Sequence, residues 1–559
     1  MNNSQIADIF SLLAKLMDIH GENSFKSKSY ANVAFQLDKV TGNLAEMDFA
    51  QIAGLKGIGD SAAKKIAEIL ATGELKALTE IIDKTPPGVI EMLNIKGLGP
   101  KKIQTVWKEM EIENIGELLY ACNENRLTLY KGFGEKTQNN VRETIEYYLG
   151  NQGSFLYAQL ELVAQQLLQQ MSTIIAPCKI FSVGAMAMHD DTIDVMEYVS
   201  DATAQMLVET LSEHGLHPTE DERNIVSFKL ETGVNIKIVC VENSILMQTA
   251  FEKRCSADFL QTFQSKYNLP SINKFESEQH YFESLNISFL PPHLRIDEVG
   301  LQLAETNTVS SIIQTADIKG IIHSHSNWSD GGFSLEQMAD AAIMKGYEYL
   351  VISDHSKTAF YANGLYEERV QAQHAQIDEL NEKLAPFKIF KSIESDILND
   401  GSLDYSSNIL STFDLVIASV HSNLKMTEEK AMQRVLKAIE NPYTTILGHM
   451  TGRLLLSRKG YPLDHKKIID ACVANQVVIE LNAHPRRLDM DWRWIRYAIE
   501  KGVLISIDPD AHSLSGFDDV RYGVIAAQKG LLIPTKNLSS FSLPAFEQFI
   551  ADRKKLKGI

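Results

Sequence analysis

Cysteine is scarce and scattered. The five cysteines, Cys122, Cys178, Cys240, Cys255 and Cys472, are odd in number and form no Cys-x-x-Cys pair. That argues against a zinc ribbon and for a reducing, cytoplasmic compartment. Long apolar runs are missing too: with no stretch of about 18 apolar residues, no membrane span is expected. The amphipathic stretch 1–16 has neither a basic region nor a cleavage site, so no export signal is expected. Basic charge is also in short supply. Lys and Arg number 54 against 72 Asp and Glu, a net charge of −18. Contact with phosphates needs local cations, not a basic whole. The balance therefore leaves nucleic acid open and suggests weak non-specific binding. At 559 residues the chain is long enough for three or four domains, each with its own core.

What the chain has is a series of short β-branched runs between Lys319 and Ser513, each ending in His, Asp or Glu. Ile321-Ile322 leads into His323-Ser324-His325, with Asp330 five residues further on. The run 349–352 ends in Asp354-His355, 389–393 in Glu394, 415–420 in His421 and 445–448 in His449. The run 477–479 ends in Glu480 and Asn482, and 503–507 in Asp508, Asp510 and His512. Seven such runs separated by helix-length polar segments predict parallel strands joined by crossover helices. In barrels of that kind the catalytic groups sit at the C-terminal ends of the strands. Imidazole and carboxylate donors with almost no thiolate suit zinc, manganese or iron. The nine groups His323, His325, Asp330, His355, Glu394, His421, His449, Asp510 and His512 exceed the needs of one ion. Two or three divalent ions are expected, with magnesium a further candidate.

The set resembles the polymerase-and-histidinol-phosphatase (PHP) phosphoesterase domain, whose ligand motifs those nine positions match one for one. The stretches Asn363-Gly364-Leu365, 400–405, Thr451-Gly452-Arg453 and 485–489 resemble it as well. More narrowly, the chain resembles bacterial family X DNA polymerases fused to such a domain. Clustered ions would lower the pKa of water and offset phosphoryl charge. By resemblance, Arg453 and Arg487 occupy motif slots where a forked guanidinium suits phosphate, a structural ion pair being the alternative. Glu394 is the expected bridging carboxylate. Asp354 beside His355, and Glu480 with Asn482, are expected to orient imidazoles.

Near the N-terminus, Leu55-Lys56-Gly57-Ile58-Gly59 and Ile95-Lys96-Gly97-Leu98-Gly99 repeat one pattern, followed by Lys64-Lys65 and Lys101-Lys102. A looser copy is Tyr130-Lys131-Gly132-Phe133-Gly134. Two glycines permit a turn that aims backbone N–H groups outward at a helix start, where the dipole favours a phosphate. The repeats resemble helix-hairpin-helix motifs, which position a protein on DNA without reading sequence. Lys65, eight residues after Gly57, resembles the family's Schiff-base lysine; simple phosphate contact is the alternative. The stretch 23–30 resembles the family's aromatic-basic N-terminal helix.

Between these ends the chain resembles a family X palm without its catalytic parts. Gly184-Ala185-Met186-Ala187-Met188 lacks the expected serine and basic residues. Thr192 stands where the first strand aspartate belongs, Asp194 remains as the one residual cofactor ligand, and Lys237 aligns with the third aspartate. Two metal ions on a nucleotide need those carboxylates, so polymerase activity is expected to be lost. Asp190, Asp191 and Glu197 are either replacements or solvated turn residues. The segment 289–295 resembles the family's Pro-Pro-Glu-Leu-Arg with His293 in place of Glu.

The expected architecture is a multidomain α/β chain. It comprises helix-hairpin-helix domains over 1–85 and 86–150, a degenerate nucleotidyltransferase-like α+β palm and thumb over 151–300, a linker helix over 301–318, and a distorted (β/α)7 PHP barrel over 319–559. The expected function is DNA repair, with metal-dependent 3′–5′ exonuclease or 3′-end processing in the barrel. Gapped, nicked or 3′-ended DNA is the partner, and the resemblance suggests a monomer. The alternatives are a non-catalytic DNA-binding scaffold, a small-molecule phosphatase and residual gap-filling synthesis.

Overall fold

The computed structural model describes residues 3–37, 40, 43–150, 153–222 and 224–559. The chain divides into two compact units, Met1–Tyr148 and Leu149–Ile559. Among the described residues, no helix is long and apolar enough to cross a membrane.

The first unit is all helical, and one turn occurs in it three times. The segment before helix Asp60–Thr72, the one before Pro100–Lys108 and the one before Glu135–Gly150 each contain a left-handed glycine. These are Gly57, Gly97 and Gly132, at φ +80°, +96° and +94°. In each copy the following apolar residue is buried and its N–H closes the turn. The bonds are Ile58 to Leu55 (3.0 Å), Leu98 to Ile95 (3.1 Å) and Phe133 to Tyr130 (3.1 Å). Only glycine adopts that φ without a Cβ penalty, and the buried residue anchors the turn to the core. The looser third copy thus folds like the other two.

In the second unit, residues 155–240 build a five-stranded mixed sheet in the order Ile180–Val183, Val195–Ser200, Asn235–Cys240, Ile225–Lys229, Pro218–Glu222. An aromatic cluster of Phe251, Phe259, Phe263, Tyr281 and Phe282 follows it. Arg295, fully buried, lies over the Phe251 ring and pairs with Glu278 at 2.5 Å. The segment 301–318, expected as a linker helix, is helical only as far as Glu305 and places Ile313 and Ile318 in the barrel core. Helix Glu298–Glu305 is capped by Asp297, buries Leu301 and Ala304 against the aromatic cluster, and gives way to short turns at Val309–Ser311 and Thr315–Asp317. An apolar stripe with a core to meet packs instead of spanning.

The seven expected strands form one parallel sheet in chain order: Gly320–Ser324, Tyr349–Ile352, Lys388–Asp396, Leu415–Ser419, Thr444–Leu447, Val478–Asn482 and Ile505–Asp508. Alternate residues face opposite sides. Leu350 and Ile352 pack outward with the helices, whereas Tyr349 and Val351 join Ile322, Phe390, Ile417, Ile446 and Val478. The sheet nearly closes. His325 N–H donates to the Ala511 carbonyl at 2.8 Å, and Ala511 N–H to His323 at 3.3 Å. The C-terminal helix Leu543–Lys557 packs Phe546 and Ile550 against the Tyr349 side of the strands.

The mixed sheet and the barrel meet within this unit. Lys529 donates to Asp190 Oδ1 (2.7 Å) and to the His189 carbonyl (3.2 Å). Arg496 pairs with Asp297 at 2.7 Å, and Arg521 pairs with Glu161. His189 stacks on His293 with centroids 4.5 Å apart.

Two predictions follow from this packing. Phe546 stacks on Tyr349 (4.5 Å between centroids) and meets Phe390 edge-on (4.9 Å). Phe546→Ala should lower the unfolding free energy of this unit by about 3–5 kcal/mol, read from urea denaturation. The stacked histidines supply a pH test. Burial, with Lys529 adding to it, pushes His189 down to about 4. Burial, then His189 and Lys529, pushes His293 down to about 3. Both pKa values lie below the unfolded value of about 6.5. Their contribution is therefore complete above pH 6.5 and is lost as pH falls toward the folded values. His189→Asn, which tolerates the left-handed φ of +50°, should lose less stability between pH 7 and pH 5 than the wild type. Parallel losses would contradict this.

Candidate metal centre

The nine residues expected to be metal ligands lie together at the C-terminal ends of the barrel strands. They come from different strands because each strand delivers its last residues to the same mouth. The closing seam bends sharply there. His323 and Asp510 both sit in the left-handed region, at φ +60° and +52°, a conformation that costs non-glycine residues about 1–2 kcal/mol each. The turn brings both side chains in among the other ligands.

The donors form three overlapping groups: His325, Asp330, His355 and His512; His323, His325 and Asp510; His355, Glu394 and His421. Glu394 joins them. Its Oε1 lies 3.0 Å from His449 Nε2, 3.1 Å from His421 Nε2 and 3.3 Å from His323 Nε2, while Oε2 lies 3.0 Å from His355 Nδ1. Asp330 lies 3.5 Å from both His355 Nε2 and His512 Nε2. Asp510 Oδ1 lies 3.0 Å from His325 Nε2 and 3.5 Å from His323 Nε2.

These distances are short, but several do not align as hydrogen bonds. His323 Nε2, His355 Nδ1 and Glu394 Oε2 are buried and lack a hydrogen-bond partner. Buried polar atoms are ordinarily satisfied. Donor atoms that converge on common space without hydrogen-bond geometry fit shared divalent ions, and the imidazole–carboxylate set suits zinc, manganese or iron.

The electrostatics agree. Burial opposes ionisation of Glu394, but His421, His323 and His355 outweigh it and hold the carboxyl well below its usual range. Burial likewise opposes charge on His323, yet Glu480, Asp510 and Glu394 hold it well above the usual imidazole range. His421, against its burial, is pushed up to about 9 by Glu394 and Asp396. A pocket this rich in ionised carboxylates attracts protons to its imidazoles, and divalent ions would take their place.

Three imidazoles are oriented from behind. His323 Nδ1 lies 2.5 Å from Glu480, His421 Nδ1 2.6 Å from Asp396, and His512 Nδ1 2.9 Å from the Asp510 carbonyl. Glu480 also accepts from His449 N–H (2.9 Å) and Asn482 (3.0 Å), and Asn482 donates to Asp510 at 3.1 Å. Glu480 thus lies where it can orient an imidazole, whereas Asn482 contacts the carboxylates of Glu480 and Asp510. Asp396 was missed. It lies two residues after Glu394 on one strand and so on the same side, and the Glu-x-Asp spacing was its signal.

One expected role changes. Asp354 does not orient an imidazole. Its carboxylate accepts from Ser326 N–H (2.8 Å) and Oγ (2.7 Å), Ser329 Oγ (2.5 Å) and Gln373 (2.6 Å), anchoring the loop that carries Asp330. Arg453 makes the structural ion pair that was the alternative to phosphate contact. It donates to Asp491 (2.7 Å) and to the Arg487 carbonyl (3.0 Å), reaches the Leu488 carbonyl, and lies 3.6 Å from Asp191. Arg487 does reach the centre, with Nε 3.7 Å from Asp510. Of the flanking stretches, Leu365 supports His355, donating its N–H to the His355 carbonyl at 2.8 Å.

Elsewhere, exposed Asp194 accepts from Ser154 at 2.6 Å. Lys237 lies beside Glu197 in parallel register. Barrel cations hold both Asp190, which is half-exposed, and Asp191, which is largely shielded. In the first unit, a Cβ at Gly59, Gly97 or Gly99 would meet nothing within 4 Å, whereas one at Gly57 would approach Gln36 to 2.9 Å. Lys64 and Lys101 are exposed. Lys65 lies 5.9 Å from the Tyr30 ring, and Lys102 donates to the Gly97 carbonyl at 3.3 Å.

Glycine turns at helix starts in one unit, and imidazoles and carboxylates gathered at one end of a parallel barrel in the other, define a multidomain protein with a candidate metal centre. Comparison with known proteins gives the family. Residues 1–75 match the model of a helix-hairpin-helix domain, and residues 89–146 that of a SAM-like helix-hairpin-helix tandem. The chain is 31% identical over 574 residues to the DNA polymerase/3′-5′ exonuclease PolX of Bacillus subtilis, covering 98% of this chain and 99% of that one. It is 26% identical over 248 residues, 42% of this chain and 92% of the other, to a "Probable phosphatase" of Caldanaerobacter subterraneus subsp. tengcongensis. It is 28% identical over 134 residues to the "Probable phosphatase YcdX" of Escherichia coli O127:H6, covering 22% of this chain and 52% of that one. The chain belongs to the PolX family, the bacterial family X DNA polymerases with a C-terminal PHP domain.

The orienting role of Asp396 is testable. Asp396→Asn should weaken binding of the ion at His421 by about 10–100-fold, measured by competition with a chromogenic chelator. Unchanged affinity would show that Asp396 does not act through His421.

Proposed function

We propose that this protein hydrolyses phosphodiester bonds at DNA 3′ ends in its barrel while its helix-hairpin-helix turns hold the DNA backbone. The convergence of nine imidazole and carboxylate groups on one strand-end mouth, eight buried and His421 half-buried, carries this reading. The exonuclease relative that matches almost the whole chain supports it. His323, His325, Asp330, His355, Glu394, His421, His449, Asp510 and His512 would hold two or three divalent ions. Such ions, when bound, activate water at neutral pH and offset phosphoryl charge. Glu394 stands between the ligand groups and would keep them in register. Glu480 and Asp396 fix which imidazole nitrogen carries the proton and which faces the centre. Arg487 supplies a fixed positive charge where a phosphate oxygen would enter.

DNA would be held by the turns at Gly57–Gly59 and Gly97–Gly99 with Lys64, Lys65, Lys101 and Lys102 beside them. Lys65 is a phosphate contact in this reading, with lyase chemistry as its alternative. Asp194 without carboxylates at Thr192 and Lys237 supports loss of gap-filling synthesis. The working divisions are 1–85, 86–150, 151–300, 301–318 and 319–559, and the protein acts in the cytoplasm on gapped, nicked or 3′-ended DNA.

A gel assay on a 5′-labelled gapped duplex with Mn²⁺ tests the reading. Wild type should shorten the primer, and His323→Ala/His325→Ala should slow this at least about 100-fold, as loss of metal ligands predicts. Extension in the presence of nucleotides would overturn loss of the polymerase. A primer left intact by a protein that still shifts the duplex would favour the scaffold reading.

A further inference from the structure

The mixed sheet poses a question that the hydrolase reading leaves open: what a palm without its carboxylates contributes. The turn His189–Asp191 precedes the strand that carries Thr192, and it faces the barrel rather than a nucleotide. Lys529 holds it by two hydrogen bonds, to Asp190 (2.7 Å) and to the His189 carbonyl (3.2 Å). Asp191 lies against Arg453 (3.6 Å), with little of its side chain exposed.

Arg453 is in turn the bracket of the loop that ends at the metal centre. Its guanidinium donates to Asp491 (2.7 Å) and to the backbone carbonyl of Arg487 itself (3.0 Å), and reaches the Leu488 carbonyl. Thr451 adds a parallel tie, donating its hydroxyl to Asp489 at 2.8 Å. At the far end of the same loop the Arg487 side chain reaches Asp510 (3.7 Å). An unbroken chain of contacts therefore runs from the palm turn through Arg453 to the Arg487 guanidinium at the ligand cluster. A guanidinium that meets two carboxylates and two carbonyls has its plane fixed by their joint geometry. Removing the Asp191 charge leaves Asp491 as the carboxylate on Arg453, beside the Arg487 and Leu488 carbonyls, and loosens that plane.

We propose that Asp191 is a positioning residue for Arg487, acting through Arg453, and that the palm is a working part of the barrel's phosphate site. The acidic turn braces the arginine that receives the phosphate oxygen. This inference rests on the reading that the barrel binds phosphate esters. Its test uses phosphate binding, not catalysis, so that the two can fail separately.

Titration calorimetry of inorganic phosphate into the full-length, Mn²⁺-loaded protein reads the site without requiring turnover. Asp191→Asn should raise the Kd for phosphate about tenfold, and Asp191→Glu should restore it to within about twofold. Arg487→Ala should weaken binding at least as much, and the double variant Asp191→Asn/Arg487→Ala should be no weaker than Arg487→Ala alone, the pattern of coupled residues. A merely structural role would reduce the fraction of competent protein, seen in the binding stoichiometry, without moving Kd. Wild-type affinity in Asp191→Asn, or losses that add in the double variant, would overturn the proposal. If wild type binds phosphate but leaves DNA intact, the nuclease reading fails and the phosphate constants still decide Asp191. If wild type binds no phosphate, the proposal falls with the site.

Discussion

Three carboxylates and six imidazoles removed from water at one end of a barrel set the constraint to which the rest of the second unit answers. An isolated buried charge is costly, and a buried polar group without a partner is costly as well. Here the charges face one another at 3.0–3.5 Å around Glu394, Asp330 and Asp510, and Glu480 and Asp396 satisfy the outer nitrogens of His323 and His421. The remaining donors fit divalent ions. The left-handed backbone at His323 and Asp510 lies on the seam where the first and last strands meet, which places local strain at the centre and its support in the surrounding sheet.

That support extends beyond the barrel. The mixed sheet meets it through acids in the turn before Thr192, which Lys529 and Arg453 engage in an ion-pair interface. An economy of backbone appears in the first unit. One glycine turn is built three times, each time fastened by the buried apolar residue between its glycines. The turn depends on backbone geometry rather than on net charge, so a chain at −18 can still carry helix-hairpin-helix elements.

The seven barrel strands and the imidazoles and carboxylates at their ends were legible in the sequence because both signals are local. A strand buried on both faces needs a continuous β-branched run, and a ligand at the strand end follows it directly in the chain. The helix-hairpin-helix turns were legible because a left-handed φ all but requires glycine. The direction of a loop side chain was not. Thr451-Gly452-Arg453 names a guanidinium, but whether it meets phosphate or Asp491 depends on a loop almost forty residues later. Asp354 sits next to a ligand in sequence, yet its carboxylate turns to Ser326, Ser329 and Gln373.

The sequence by itself therefore determined the barrel, its strand-end donors, the glycine turns and the missing palm carboxylates. Each is written in spacing that a few consecutive residues enforce. Only the tertiary structure decided that Asp396 backs His421, that the helix before the barrel ends at Glu305, and that Asp190 and Asp191 belong to an interface. Those outcomes turn on which distant group fills the space opposite a side chain, and local sequence carries no record of it.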